Sequence, residues 1–266
     1  MKKTEMRNPK TMQMDKMSTF EMLSAIQEEN YNAVKAIEKA LPSIEKVCDE
    51  ATSRMSEGGR LIYIGAGTSG RLGVLDGVEC RPTFGIDDGI VVGIIAGGAE
   101  CMFKAAEGEE DNRDAGINDI KSISPSPLDT VVGISVSGDA AYVVGALEYA
   151  KGIGCLTVAL TSNEDAKIIG YVDIPIVTDT GAEALTGSTR MKAGSAHKMV
   201  LNMISTAVMT KLGNVYENMM INLKPTNIKL KNRMINITCD IKGCDRETAE
   251  KLLVKSSWNI RKAVEK

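Results

Sequence analysis

Short apolar runs separated by helical patterns dominate the middle of the chain. Runs at 60–64, 91–96, 130–135, 155–160 and 174–178 are continuous rather than alternating, as in strands buried on both faces. Helical periodicity is expected between them at 69–78, 99–106, 115–121 and 140–151, the last with Val143, Val144, Ala146, Leu147 and Ala150 turned inward. This alternation predicts an α/β fold, a five-stranded parallel sheet flanked by helices on both faces. The longest helix is expected at 192–212. It carries one apolar stripe of Ala196, Val200, Met203 and Ala207 and another of Met199, Ile204 and Val208. A helix apolar on two sides is sandwiched between layers, here between two subunits.

The flanks read differently. The polar opening through Lys16 predicts a disordered or docking arm. Ser18 to Glu21 form a capping box that starts a helix; a second helical pattern over 31–55 bends near Pro42 and stops at Gly58 and Gly59. From Thr226 onward charged helices follow, at 227–237, after Asp245, and at 259–266. The expected organisation is therefore an N-terminal arm and helices (1–57), a central sheet domain (58–225) and a small C-terminal helical appendage (226–266).

Composition narrows the function. A chain of 266 residues that is 43% hydrophobic buries a full core, and a net charge of −3 argues against a nucleic-acid partner. The basic cluster from Lys224 to Arg233 reads as the solvated side of a helix. Six scattered cysteines without a CxxC pair, and a single histidine, His197, make a metal site an unexpected feature. No run approaches the length of a membrane span and the start lacks a secretory h-region, so a soluble, cytoplasmic protein with no membrane partner is expected.

Three segments beyond the strand ends share one chemistry: GAGTSGR at 65–71, SVSG at 135–138 and TGSTR at 186–190. Each sets glycine, for close backbone approach, beside Ser or Thr hydroxyls, and each precedes a helix whose free N–H groups favour an anion. Gly65, Gly67 and Gly70 match a dinucleotide fingerprint, but no strand ends in Asp or Glu about 20 residues on. Hydroxyls converging from three loops suit a single phosphate on a sugar rather than a dinucleotide. The candidate ligands are Gly67, Thr68, Ser69, Ser135, Ser137, Gly138, Ser188, Thr189 and Lys192.

Two carboxylates stand in the same region. Glu79, between Val78 and Cys80, is expected at the end of the first crossover helix just before Pro82, in an apolar setting that raises a carboxyl pKa or else as a solvated helix-end group. Glu110 lies in the acidic run 107–111, which by itself reads as solvated surface or as the source of a general base. His197 lies on an apolar helix and reads as a structural residue.

At these motifs the chain resembles N-acetylmuramic acid 6-phosphate etherases, enzymes of the sugar isomerase (SIS) fold. The resemblance rests on IGAGTSGRLGVLD, VEC and PTFG, on AAEGEEDNRDAG, and on LTGSTRMKAG; the opening 4–23 is similar to the family's arm. It implies a cofactor-free, homodimeric, cytoplasmic lyase with sites near the subunit interface, which splits the ether between sugar C3 and D-lactate by elimination and water addition. It also implies that Glu79 is the proton donor and Glu110 the base.

Several positions depart from the family pattern. Asp139-Ala140-Ala141 replaces Arg-Thr-Pro beside the expected phosphate, an unfavourable acidic substitution there. Val78 removes a hydroxyl next to Glu79, Arg81 replaces a proline and could restore positive charge, Met6 replaces a glycine, and His197 a glutamine. The chain also ends before the last helices usual in the appendage. The alternatives to the etherase are a non-catalytic sugar-phosphate sensor, as in glucokinase regulatory protein, and a phosphosugar isomerase of the same fold.

Overall fold

The five apolar runs form one parallel sheet in the order β2-β1-β3-β4-β5. In the computed structural model, which describes residues 1–264, the strands are β1 (Leu61–Gly65), β2 (Val91–Ile95), β3 (Thr130–Ile134), β4 (Leu156–Thr161) and β5 (Ile174–Val177). Side chains alternate across it. Leu61, Tyr63, Val132, Ile134, Val158 and Leu160 face one apolar layer, and Ile62, Ile64, Val131 and Ala159 face the other. The first layer is built by α1 (Thr19–Ser56), α2 (Gly67–Phe84) and α5 (Lys192–Lys211), the second by α3 (Arg113–Ser122) and α4 (Ala141–Ile153). Burial on both faces explains why the strands read as unbroken apolar runs.

Register decides where the site falls. Gly65 is level with both Ile95 and Ile134, and Ile134 with Leu160, so four strands deliver their loops to a common edge. Helix α2 can lie close because Gly70 has no side chain: a Cβ there would stand 2.4 Å from the Gly65 carbonyl oxygen.

Several expectations need correction. The two N-terminal helical patterns are one helix, α1, entered through the expected capping box, in which the Ser18 N–H donates to Glu21 Oε2 at 2.8 Å. Pro42 is tolerated inside it because Pro42 and Glu38, whose carbonyl loses its helical donor, are both on the solvent side. The helix expected at 99–106 is only a 3-10 turn, Ala99–Met102. Helix α2 does not end at Val78 but continues through Pro82 to Phe84. Helix α5 packs on the sheet between α1 and α2 of the same chain, so its two apolar stripes need no second subunit.

The opening arm is ordered. Three short 3-10 turns, Lys3–Glu5, Pro9–Thr11 and Met14–Lys16, carry it across the loops at the sheet's carboxyl edge. Asn163 Nδ2 donates to Thr4 Oγ1 at 3.2 Å, Asn8 Nδ2 to the Ala182 carbonyl at 3.2 Å, and Thr11 Oγ1 to the Ala184 carbonyl at 2.7 Å.

Beyond a small hairpin of β6 (Val215–Tyr216) and β7 (Met219–Met220), the helices α6 (Ile228–Lys242), α7 (Arg246–Lys255) and α8 (Ile260–Val264) enclose a separate apolar cluster around Met234, Ile235, Ala249, Leu253 and Ile260. The Asp245 cap is present, and Lys229, Lys231 and Arg233 are exposed on α6 as expected. The helix expected at 259–266 runs partly beyond the described residues. No helix among the described residues is long and apolar enough to cross a membrane.

Candidate functional site

From the adjacent strands β1 and β3 the chain passes outward in opposite directions, to β2 and to β4. At such a switch point the loops diverge and leave a crevice at the carboxyl edge. A cleft of about 290 Å³ opens there, lined by Gly67, Thr68 and Ser69, by Ser135 and Ser137, by Gly187 and Thr189, and by two carboxylates, Glu5 and Glu110. The three glycine–hydroxyl loops thus meet, as their chemistry predicts.

Each loop is built to offer donors. Gly67 opens α2 with a φ of +54°, and no side chain caps that helix, which leaves first-turn N–H groups for a ligand. Ser135 Oγ accepts the Gly138 N–H at 3.0 Å and Ser137 Oγ accepts the Asp139 N–H at 3.3 Å. Both hydroxyl oxygens are engaged as acceptors, so their O–H hydrogens are available to an anion. Gly138 makes the turn possible: its φ is +75°, and a Cβ would stand 2.2 Å from the Ala166 Cβ.

Not every expected ligand reaches the cleft. Gly138 shapes the loop from behind. Ser188 closes a turn, its N–H donating to the Leu185 carbonyl at 2.9 Å, and is not part of the lining. Lys192 is 2% exposed and its ammonium is paired with the buried carboxylate of Glu29 on α1. It is a core ion pair. Burial pushes Glu29 up, but the Lys192 ammonium and neighbouring amides outweigh that and hold it below the usual carboxylate range. The start of α5 is capped by another buried carboxylate, Glu183, which accepts the Lys192 and Ala193 N–H groups at 3.2 and 3.0 Å. Burial raises the Glu183 pKa despite those bonds.

Glu110 sits in a 3-10 turn, Glu109–Asp111, exposed at the cleft wall. It also borders a neighbouring hollow of about 270 Å³ lined by Arg71, Cys101, Glu107 and Glu109. Glu79 is elsewhere. It lies on the exposed side of α2, about 18 Å along the helix axis from Gly67. Its expected apolar setting is not formed within one chain: Val78 is 64% exposed, although Cys80 is buried and its thiol is pushed by burial up to about 12. A single chain therefore does not bring the two glutamates together.

The departures from the family pattern find partners. Asp139 is absent from the cleft lining; it pairs with Lys2 at 2.7 Å and accepts the Lys167 N–H at 3.3 Å. Lys2 also donates to the Ser137 carbonyl. The acidic substitution is thus neutralised by the arm. Arg81 pairs with Asp88 at 2.8 Å at the far end of α2 and adds no charge to the phosphate loops. His197 is fully buried, with Nε2 3.1 Å from Ser162 Oγ, and burial lowers its pKa to about 4, which suits the structural role expected. Sequence reasoning missed Glu5, and it reached Gly187 only as the glycine of the 186–190 loop. The similarity of 4–23 to the family's arm was the one signal for Glu5.

Comparison with known proteins fits this geometry. Residues 43–151 match the family model of the glucokinase regulatory protein N-terminal SIS domain. An N-acetylmuramic acid 6-phosphate etherase from Serratia proteamaculans is 48% identical over 98% of this chain and 88% of its own length. One from Caldanaerobacter subterraneus is also 48% identical, over 98% of this chain and 85% of its own. A solved phosphoheptose isomerase from Francisella tularensis shares the fold with a TM-score of 0.55 at 15% identity, covering 72% of this chain and 98% of that one.

Proposed function

Because the chain belongs to the N-acetylmuramic acid 6-phosphate etherase family, we propose that it cleaves the D-lactyl ether of N-acetylmuramic acid 6-phosphate. The products are N-acetylglucosamine 6-phosphate and D-lactate. The observation that carries the reading is the cleft at the β1–β3 switch point, where hydroxyls of three loops and Glu110 converge.

The phosphate is held by Thr68, Ser69, Ser135, Ser137 and Thr189 and by the N–H groups at the start of α2. This anchors the open-chain sugar with its C2 hydrogen toward Glu110. The C1 aldehyde acidifies that hydrogen, and Glu110 removes it. The electron pair left at C2 expels the C3 oxygen as the C2–C3 double bond forms. Glu79 protonates the departing lactate oxygen. Water then adds at C3 and a proton returns to C2, which leaves both carboxyl groups as they began. Each proton transfer of this kind contributes roughly 10²–10⁴-fold.

Glu79 takes part through a homodimer, in which α2 of a second copy brings its exposed face to the cleft. The exposed Leu75 and Val78 beside Glu79 support such a contact, since they are large apolar side chains without cover in one chain. The same reading puts the enzyme in the cytoplasm, where its phosphorylated sugar would be found. The test is incubation with N-acetylmuramic acid 6-phosphate and measurement of released D-lactate, with Glu110→Gln as control. Lactate from the unmodified protein alone supports the lyase. Ligand binding without lactate would point to a sugar-phosphate receptor like the regulatory domain that residues 43–151 match.

A further inference from the structure

Glu5 is a carboxylate that the proposed reaction does not use, yet it lines the same cleft as the phosphate loops. It comes from the arm. Its position is fixed on both sides: Lys2 and Thr4 are tied down before it, and Asn8 and Thr11 after it. Glu5 Oε2 lies against the backbone of Gly187, 3.3 Å from the point where a Cβ on that residue would stand, and Gly187 has a φ of +74°. Among the described residues its carboxylate has no ion-pair or hydrogen-bond partner, whereas Lys2 and Lys3 beside it are both paired, with Asp139 and Asp179.

The chemistry of the lining limits what such a group can do. Among the described residues the cleft is lined by no lysine or arginine; beside the apolar Ala66, Ile134, Val136 and Ala140, its polar groups are hydroxyls, backbone and the two carboxylates. A phosphate offers acceptors and so is served by the hydroxyl and N–H donors. An ionised carboxylate is also only an acceptor. Glu5 receives no hydrogen bond from a fully ionised phosphate and repels it; its complement is a donor, a sugar hydroxyl or an amide N–H.

We propose that Glu5 is a specificity-determining residue, which accepts a hydrogen bond from the hydroxyl or acetamido N–H of the sugar whose phosphate occupies this cleft. The assignment rests on the sugar-phosphate reading above. It makes the arm part of the site: the loops take the phosphate, and Glu5 tests whether a sugar is attached.

The experiment compares Glu5→Ala and Glu5→Gln with the unmodified protein. The KM for N-acetylmuramic acid 6-phosphate and the inhibition constant of inorganic phosphate are both read. Losing a hydrogen bond to an ionised acceptor costs about tenfold to a hundredfold in affinity. Glu5→Ala is expected to raise KM by that factor, with the loss falling on KM more than on kcat. The inorganic phosphate constant is expected to stay level or fall, because a repelling charge has gone. Glu5→Gln, which keeps an acceptor oxygen, should recover part of the KM. An unchanged KM in Glu5→Ala overturns the proposal. So does parallel weakening of substrate and inorganic phosphate, which would mean that the arm only braces the loops. If the unmodified protein releases no lactate, the etherase reading fails separately. Calorimetry with N-acetylglucosamine 6-phosphate then decides for Glu5: about tenfold weaker binding in Glu5→Ala sustains the assignment, and equal binding overturns it.

Discussion

Replacing Lys192 by Met separates two roles that its motif leaves open, a phosphate ligand and a core cation. The structure gives the second. Lys192 and Glu29 are 2% and 6% exposed in their side chains, so Lys192→Met strands a buried carboxylate. Removing one partner of a buried pair costs about 3–5 kcal/mol. Here the lower end applies, because Asn32 Nδ2 still donates to Glu29 at 3.2 Å and the half-exposed Lys10 ammonium stays 3.6 Å away. We expect a loss of about 3 kcal/mol by urea unfolding, or a Tm lowered by roughly 6–12 °C for a chain of this size. The pH dependence has a definite sign. In the unmodified protein Glu29 is held below its usual value, so its contribution is present above the unfolded-state value and is lost as pH falls through the folded one. In Lys192→Met only burial remains dominant, Glu29 shifts upward, and the deficit should shrink on mild acidification. Glu29→Gln combined with Lys192→Met should recover at least half of the loss. A Lys192→Met variant of unchanged stability but with at least tenfold weaker affinity for N-acetylglucosamine 6-phosphate would refute the reasoning and restore Lys192 as a ligand.

Other expectations follow from the same geometry. Glu110→Gln and Glu79→Gln should each lower kcat by about 10²–10⁴-fold with the melting temperature unchanged. If each site draws its glutamates from two subunits, mixing and re-associating the two inactive variants should restore up to about a quarter of full activity, from the wild-type site in each mixed dimer; no recovery would place both groups in one chain's site. His197, lowered by burial to about 4, binds its proton more weakly folded than unfolded, so stability is lost as pH falls from about 6.5 toward 4. His197→Gln should flatten that part of the stability–pH curve, by up to roughly 3 kcal/mol. Gly70→Ala should be strongly destabilising or insoluble, since its Cβ would stand 2.4 Å from a backbone oxygen of β1.

What could be read from the sequence was local, or repeated along one element. The strands were legible because burial on both faces leaves no polar position to interrupt them, and the Ser18 box because its two partners are three residues apart. The phosphate loops announced themselves by glycine beside hydroxyls. Lys192 was misplaced because the group that claims it, Glu29, is 163 residues away on another helix. Whether the arm is disordered or docked was left open by the sequence because nothing periodic holds it: its contacts are single side chains reaching the carbonyls of distant loops. Asp139 looked unfavourable for the same reason, since Lys2 is its neighbour only in space. Glu79 was placed correctly at the far end of the first crossover helix; what was hidden is that this helix continues through Pro82 to Phe84.

The arm's attachments also set an order of assembly. Lys2 meets the Ser137 carbonyl across 135 residues, and Asn8 meets Ala182 across 174. During synthesis the arm must therefore wait, unpaired, until Ser137 and Ala182 have followed it. Contacts of such long separation close late, because the loop entropy is lost before the contact returns anything. The wall that carries Glu5 is thus among the last parts of the cleft to form, after the sheet and the phosphate loops are in place. A nascent or truncated chain could already hold phosphate on those loops, yet it would not distinguish a sugar phosphate from the bare anion.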